Sequence, residues 1–338
     1  MTRLVLLVLL LIPGVCAADE ATPLRIMTFN VEILTAPGVR AGQLQKYRFD
    51  YARGRHLDRA ADIIEVLNPD ILNLVEATSK EVVDEIVARL HAKGLTEYTG
   101  YHIESNDTFT GMDVAVITKF PPDEVDGEKI RTYFSGGDDP TFRQSYRAPD
   151  YDGKERSFTA SLSRNSGYFI EVSGYRLGFL GLHLKSNPSD EYSNAQRTAQ
   201  AKVAQRVLNG EVTRRGYLPV VLGDLNDYDP DVPDRDDTRD TVTEVLPMLK
   251  DFDPDHDGPE LFNAAEFMPN QADRYTSHWD WNENGAADPQ DVFTMIDHIL
   301  LPVELKPHVK RAFIAHVVGL ETSDHYPVVV DLLLPAKE

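Results

Sequence analysis

Short runs of apolar, largely β-branched residues punctuate the chain, and each gives way to a carboxylate, an amide or an imidazole where it ends. No other feature constrains the fold as strongly. A run that is apolar on both faces must be buried on both faces, which places it in the middle of a layered sheet structure. Residues 220–227, Val-Val-Leu-Gly-Asp-Leu-Asn-Asp, show the pattern best: a buried strand enters Gly223 and then presents Asp224 and Asn226 on a short turn. Rigid strand ends of this kind are where layered α/β folds gather their chemistry.

The same grammar runs through the sequence. Residues 24–29 read as a strand ending at Asn30, and Leu57, Ala60, Ala61, Ile63, Ile64 and Leu67 recur at helical spacing until Asn68-Pro69-Asp70 stops them. Residues 71–75 form a strand that delivers Glu76, and an amphipathic helix follows over 81–91. A strand is expected over 112–118, then a hairpin of 168–172 with 176–182 turning at Gly174 and ending in His183-Leu184-Lys185-Ser186. A helix over 192–208 leads back to the Val220 strand. The last strands cover 293–301, which carries Asp297, and 326–334, which begins just after Ser323-Asp324-His325. Helices and strands alternate without a linker, so residues 23–336 read as one domain. The Gly- and Asp-rich stretches at 135–156, 227–240 and 251–291 read as surface insertions.

Residues 1–17 are of another kind. Arg3 precedes an apolar run, Pro13-Gly14 breaks it, and Val15-Cys16-Ala17 supplies small residues for cleavage. This is the pattern of a secretory signal peptide, too short to span a bilayer, and it implies a secreted or periplasmic protein with no transmembrane segment after cleavage. Cys16 is the only cysteine, so the cleaved protein would have no disulfide, thiolate metal site or cysteine nucleophile. The net charge of −21, from 55 acidic and 34 basic residues, repels polyanions at long range and favours cations.

The polar residues at the ends of the apolar runs are Asn30, Glu76, His183, Asp224, Asn226, Asp297, Asp324 and His325. Each alone has an ordinary structural explanation as a cap, a turn residue or a core histidine. Together, carboxylates, amides and imidazoles make a hard-oxygen site suited to Mg²⁺, Mn²⁺ or Ca²⁺.

The segments Met27-Thr-Phe-Asn30, Pro69-Asp-Ile-Leu-Asn-Leu-Val-Glu76, His183-Leu-Lys-Ser186, Gly223-Asp-Leu-Asn226, Ile296-Asp-His-Ile-Leu300 and Ser323-Asp-His-Tyr-Pro327 resemble, in order, the motifs of the endonuclease/exonuclease/phosphatase superfamily, whose type member is pancreatic deoxyribonuclease. The resemblance implies a four-layer α/β sandwich: two mostly antiparallel mixed sheets packed face to face with helices outside. It implies hydrolysis of a phosphate ester with Mg²⁺ or Mn²⁺, the metal held by Glu76 with Asn30 and Asp324. By the same resemblance Asp297 orients His325, Asp224 orients or deprotonates the attacking water, and Asn226 and His183 donate to the phosphate, with Arg164 as a further basic contact. Lys185 is a candidate phosphate contact by its position in His183-Leu184-Lys185-Ser186, against the alternative of a loop charge. Whether Asp224 or His325 is the base stays open. Two positions depart from the family pattern: Val75 stands where relatives carry Gln, and Asp113 where glycine is usual.

Asp280, Asn282, Asn284, Ala286, Asp288 and Asp291 fall at positions one, three, five, seven, nine and twelve of an EF-hand-type loop with Gly285 at six. A structural Ca²⁺ is expected there, against the alternative of a solvated acidic insertion. The start of a second such loop at 253–258 breaks down at Ala264.

The expected function is therefore a secreted metal-dependent phosphodiesterase or nuclease. The alternatives are a small-molecule phosphomonoesterase, a sphingomyelinase-like enzyme, for which no exposed aromatic hairpin stands out in the sequence, and an inactive calcium-stabilised binding module. The last would be expected to lack one of Glu76, Asp224, Asn226, Asp324 or His325. The implied partner is a phosphate ester, nucleic acid included, and no stable protein partner.

Overall fold

A computed structural model describes residues 21–40, 42–134, 139–150, 152–237 and 243–337, so the signal-like segment and Cys16 lie outside the described residues. In chain order the strands are β1 (Thr22–Leu34), β2 (Ile71–Ala77), β3 (Thr99–Tyr101), β4 (Asp113–Thr118), β5 (Ile130–Arg131), β6 (Gln144–Pro149), β7 (Glu155–Ala160), β8 (Asn165–Val172), β9 (Tyr175–His183), β10 (Leu218–Asp224), β11 (Leu261–Asn263), β12 (Ser277–Trp279), β13 (Val292–Thr294), β14 (Asp297–Pro302), β15 (Val309–Ile314) and β16 (Val328–Leu334). The helices are α1 (Asp50–Leu67), α2 (Lys80–Ala92), α3 (Glu191–Val207) and α4 (Val245–Lys250). None of the described helices is long and apolar enough to cross a membrane.

Two mixed six-stranded sheets, β15-β16-β1-β2-β4-β3 and β11-β14-β10-β9-β8-β5, pack face to face. One is flanked by α1 and α2, the other by α3 and α4. This is the expected α/β sandwich. Every residue of β2 and β4 is buried, as strands covered on both faces require. The sheets approach closely where β9 crosses β2: a Cβ on Gly181 would lie 2.1 Å from Asn73 Oδ1, so only glycine fits.

Each sheet has a parallel pair at its centre, β1 with β2 and β9 with β10, joined by α1 and α3 because a parallel connection needs a crossover. The outer strands run antiparallel. This arrangement places the functional residues. Parallel partners end together, which gathers the Asn30 and Glu76 ends of one sheet and the His183 and Asp224 ends of the other. Antiparallel neighbours begin where those end, so β14 starts with Asp297 opposite Asp224, and β16 starts just after Asp324 and His325.

The local signals hold. The helix α1 ends at Asn68, whose φ of 47° and N–H bond to Ile64 O form a left-handed cap. The β8–β9 hairpin turns at Ser173 and Gly174, with φ of 51° and 79°, as a type I′ turn requires.

Several expectations need correction. Residues 293–301 are not one strand: the hydroxyl Oγ1 of Thr276 accepts from the N–H of both Ile296 and Asp297, each at 2.9 Å, and the chain leaves β13 there to enter β14. The 251–291 stretch is not all insertion, because Leu261–Asn263 is a buried edge strand on β14. Within 135–156, β6 pairs with β7 and the hairpin packs on α3. Nor is the start of 227–240 a solvated acidic face: Asp227, Asp229 and Asp234 are buried, with Asp229 Oδ1 2.7 Å from the Lys250 ammonium. An aromatic hairpin also exists, since β12 and β13 leave Trp279, Trp281 and Val292 exposed. Three-residue strands are too short to show alternation in the sequence.

Candidate active site

The opposed sheet ends converge on a buried polar corner. Asn30 Nδ2 donates to Glu76 Oε1 at 3.0 Å and to Asp224 Oδ2 at 3.1 Å, so one amide ties a carboxylate from each sheet. Glu76 lies at φ 66°, and its Oε2 accepts from Ile33 N at 2.8 Å. Asp224 Oδ1 accepts from Asn226 N at 3.0 Å, closing the turn foreseen from Asp224-Leu-Asn226. Gly223 before it has φ 136°, and a Cβ there would sit 2.0 Å from Leu182 O. Glycine is the residue that lets this strand end lie against β9.

His325 Nδ1 meets Asp297 Oδ2 at 2.7 Å, and His325 Nε2 lies 4.0 Å from Asp324 Oδ1. Burial alone would lower the pKa of His325, but the charges of Asp297 and Asp324, the Asp297 hydrogen bond and the charge of Asp224 outweigh it and hold the ring well above its ordinary value. These carboxylates favour the charged form of the ring. Burial, joined by the charge of Asp297, pushes Asp224 above the usual carboxylate range, and burial raises Glu76 as well.

On the opposite side, His183 Nε2 is 3.6 Å from Asp224 Oδ2 and 3.7 Å from Glu76 Oε1. Burial, with the charge of Arg164, lowers its pKa well below the ordinary value, so the ring is neutral and Arg164 Nη1 donates to Nε2 at 3.2 Å. Arg164 also donates from Nη2 to Leu184 O at 3.1 Å, where Asn226 Nδ2 donates at 3.3 Å. Arg164 thus joins the corner, while Lys185 turns to a neighbouring cavity.

The donors fit a hard divalent cation. Dehydrated carboxylates crowd the corner, Asp297 Oδ1 is buried without a hydrogen-bond partner, and a dication relieves such crowding. Ligand atoms of Asp224, Asp297 and His325 lie within 4.8 Å of one another, yet a protonated ring bonded to Asp297 has no lone pair to offer. Glu76 and Asp324 supply carboxylates that could hold such a cation, and the Asp224, Asp297 and His325 trio could exchange protons beside it. Asn30 points its NH₂ at Glu76, so it positions the carboxylate.

The sequence pattern of the Endonuclease/Exonuclease/phosphatase family matches residues 27–325. The chain belongs to that family. It is a phosphoester hydrolase of the divalent-metal-dependent type, and the matched residues span the strand ends just described. The fold is that of truncated TDP2 from Caenorhabditis elegans (15% identity, 92% of this chain and 98% of that one, TM-score 0.54). It is shared by the 3′ phosphatase NExo from Neisseria, solved with a product DNA hairpin (16%, 91% and 99%, 0.54), and by an AP endonuclease from Archaeoglobus fulgidus (18%, 91% and 98%, 0.54). No curated protein sequence matches the chain.

Glu32, which the sequence does not single out, also reaches this corner. Glu32 Oε2 accepts from Asp324 N at 3.0 Å and pairs with the Lys46 ammonium; burial and the charge of Asp324 raise its pKa. The expected strand stops at Asn30, whereas β1 continues to Leu34 with positive φ at Glu32 and Ile33, which bring Glu32 round to Asp324. Ser323 Oγ donates to Asn30 O at 2.7 Å, tying the His325 loop to β1. The two departures sit differently. Val75 is core, whereas Asp113 holds the rim through His102 Nε2 at 2.7 Å and Ser105 N at 2.8 Å.

The 280–291 loop lies on the β12–β13 hairpin, tied to the site by His278 N, which donates to Asp324 O at 2.8 Å. Gly285 N donates to Asp280 Oδ2 at 2.6 Å, and the amides of Asn282 and Asn284 reach Asp288 Oδ2 at 2.7 and 3.2 Å. Ala286 N donates to Asn284 Oδ1 at 2.7 Å. Asp291, at position twelve, is engaged elsewhere, with Oδ2 2.6 Å from His278 Nε2.

Proposed function

We propose that this hydrolase is an exported phosphodiesterase acting on nucleic-acid or nucleotide esters, with Asp224 as the base and His325 as the cationic partner of the phosphate. The carrying observation is a buried carboxylate beside a carboxylate-held imidazole: burial raises Asp224 above the usual range, and His325, bonded through Nδ1 to Asp297 at 2.7 Å, is raised as well. Near neutrality Asp224 is then a basic carboxylate able to take a proton from water, and His325 remains charged to steady the phosphate oxygens. Asp297 fixes the ring through Nδ1, leaving Nε2 for substrate. Asn226 and Arg164 supply further donors as negative charge builds, with the neutral His183 ring accepting from Arg164 and holding it in place. When bound at Glu76 and Asp324, Mg²⁺ or Mn²⁺ would neutralise phosphate charge.

The signal-like pattern of residues 1–17 supports export. The 280–291 loop is proposed to take Ca²⁺ as a structural ion. A net charge of −21 favours short esters or strand ends over a long duplex.

The test is a screen of Mg²⁺, Mn²⁺ and Ca²⁺ with the purified protein against DNA, RNA, bis(p-nitrophenyl) phosphate and p-nitrophenyl phosphate. Metal-dependent diester cleavage is expected, and Glu76→Ala and His325→Ala are expected to stay folded and lose it. Full turnover in either variant overturns the reading.

A further inference from the structure

Beside the catalytic corner lies a cavity of about 520 Å³, within the about 300–1,000 Å³ range of small-molecule sites. One wall is the β6–β7 hairpin, with Pro149 and Phe158. The other is the loop and first turn of α3, with Lys185, Asn187, Asp190 and Tyr192. The hairpin is seated by an aromatic trio: Phe158 meets Tyr192 edge-on at 5.1 Å, and Tyr146 lies 5.5 and 6.1 Å from the two rings.

Lys185 connects the cavity to the reaction. It follows Leu184, whose carbonyl is held by Arg164 and Asn226. Its own N–H donates to Gln200 Oε1 at 2.9 Å and its carbonyl accepts from Arg197 at 2.9 Å, so its backbone is fixed on both sides. Its ammonium makes one hydrogen bond, to Ser186 Oγ at 3.5 Å, and no ion pair among the described residues. The Asp190 carboxylate acts on it by charge across the cavity without closing an ion pair.

We propose that this cavity seats one nucleoside unit of the ester, its ring against Phe158 and Tyr192 and its flanking phosphate on Lys185. The inference rests on the phosphodiesterase reading and names its substrate class. The lining selects this occupant. Aromatic side chains take a base by its π-face whatever its identity. The Asn187 amide and the Asp190 carboxylate accept from base amines and sugar hydroxyls. Asp190, Glu191 and Asp150 repel further phosphates, so the cavity takes a single unit and not a continuing polyanion.

The test compares two chromogenic diesters on the full chain with Mn²⁺: methyl p-nitrophenyl phosphate, which has nothing to place in the cavity, and the p-nitrophenyl ester of thymidine 5′-phosphate. Phe158→Ala is expected to lower kcat/KM for the thymidine ester about tenfold, the scale of a lost base–aromatic contact, with the methyl ester within about twofold of wild type. Phe158→Tyr, which keeps a ring, is expected to restore the preference. An unchanged ratio between the esters, or an equal loss on both, overturns the subsite while leaving the phosphodiesterase reading intact. If wild type cleaves neither ester and Glu76→Gln behaves identically, the phosphodiesterase reading fails instead. Calorimetric titration of thymidine 5′-phosphate then decides the cavity alone: tighter binding to wild type than to Phe158→Ala supports it, and equal or absent binding overturns it.

Discussion

Arg197 Nε lies 3.1 Å from Asp227 Oδ2, and neither side chain has any exposed surface. The pair clamps two loops of the site. Arg197 Nη1 also donates to Lys185 O at 2.9 Å and Asn187 O at 3.4 Å, while Asp227 accepts from Thr243 Oγ1 at 2.6 Å immediately after the Asp224-Leu-Asn226 turn.

Removing one partner leaves a buried charge without compensation. Arg197→Met is therefore expected to lose about 3–5 kcal/mol of stability, read as a lower denaturation midpoint. Arg197→Met combined with Asp227→Leu is expected to recover part of it, because an apolar pair strands no charge. A midpoint for Arg197→Met equal to wild type would show that the clamp contributes nothing.

That clamp also marks the limit of what was legible in the sequence. Glu76, Asp224 and Asn226 were readable because each stands at the end of an apolar run, where position and chemistry coincide. The Arg197–Asp227 pair was not, since a charge on a helix reads as solvated until tertiary packing brings a loop acid against it. Glu32 is hidden for a different reason: it lies beyond the apolar run that ends at Asn30, and two consecutive positive φ angles turn it to Asp324. Asp297 is legible as a site residue, but the apolar run around it reads as one strand where β14 begins with it. The hydroxyl of Thr276 that divides β13 from β14 carries no periodic signal.

Asp297→Asn tests the proton-handling trio. Asp297 is the largest of the influences raising the pKa of His325, so its neutralisation lets the ring lose its proton at lower pH. Turnover should fall by about 10²–10⁴-fold, the usual worth of a positioned acid or base, and the alkaline limb of the pH–rate profile should move to lower pH. An unmoved limb would mean that His325 does not set it.

The helix α1 supports the His325 loop from beneath. His56 is 1% exposed, its Nε2 meets Thr322 O at 2.6 Å, and burial lowers its pKa from 6.5 to about 4. The unfolded chain therefore binds this proton more readily than the folded one. The stability from neutral His56 is complete above pH 6.5 and is lost as pH falls from 6.5 towards 4, by about 3 kcal/mol at most. Gln can donate the same hydrogen bond without titrating. The stability difference between wild type and His56→Gln should shift against wild type across that window, and parallel curves would remove His56 as the cause.

Calcium gives the last test. The Asp280 carboxylate already wraps the Gly285 N–H, with Gly285 at φ 76°, as the first half of a cation loop requires. The second half is not in place, because Asp291 is bonded to His278. Binding must draw on a carboxylate that now braces the hairpin, which predicts modest affinity and an effect on stability only at high free Ca²⁺. At about a hundredfold excess over Kd the gain would be about 2.7 kcal/mol. The melting temperature should rise with added Ca²⁺, fall back with chelator, and stay flat in Asp280→Ala. A wild-type melt indifferent to both Ca²⁺ and chelator would leave the loop as a hydrogen-bonded acidic turn beside the site, braced by His278–Asp291.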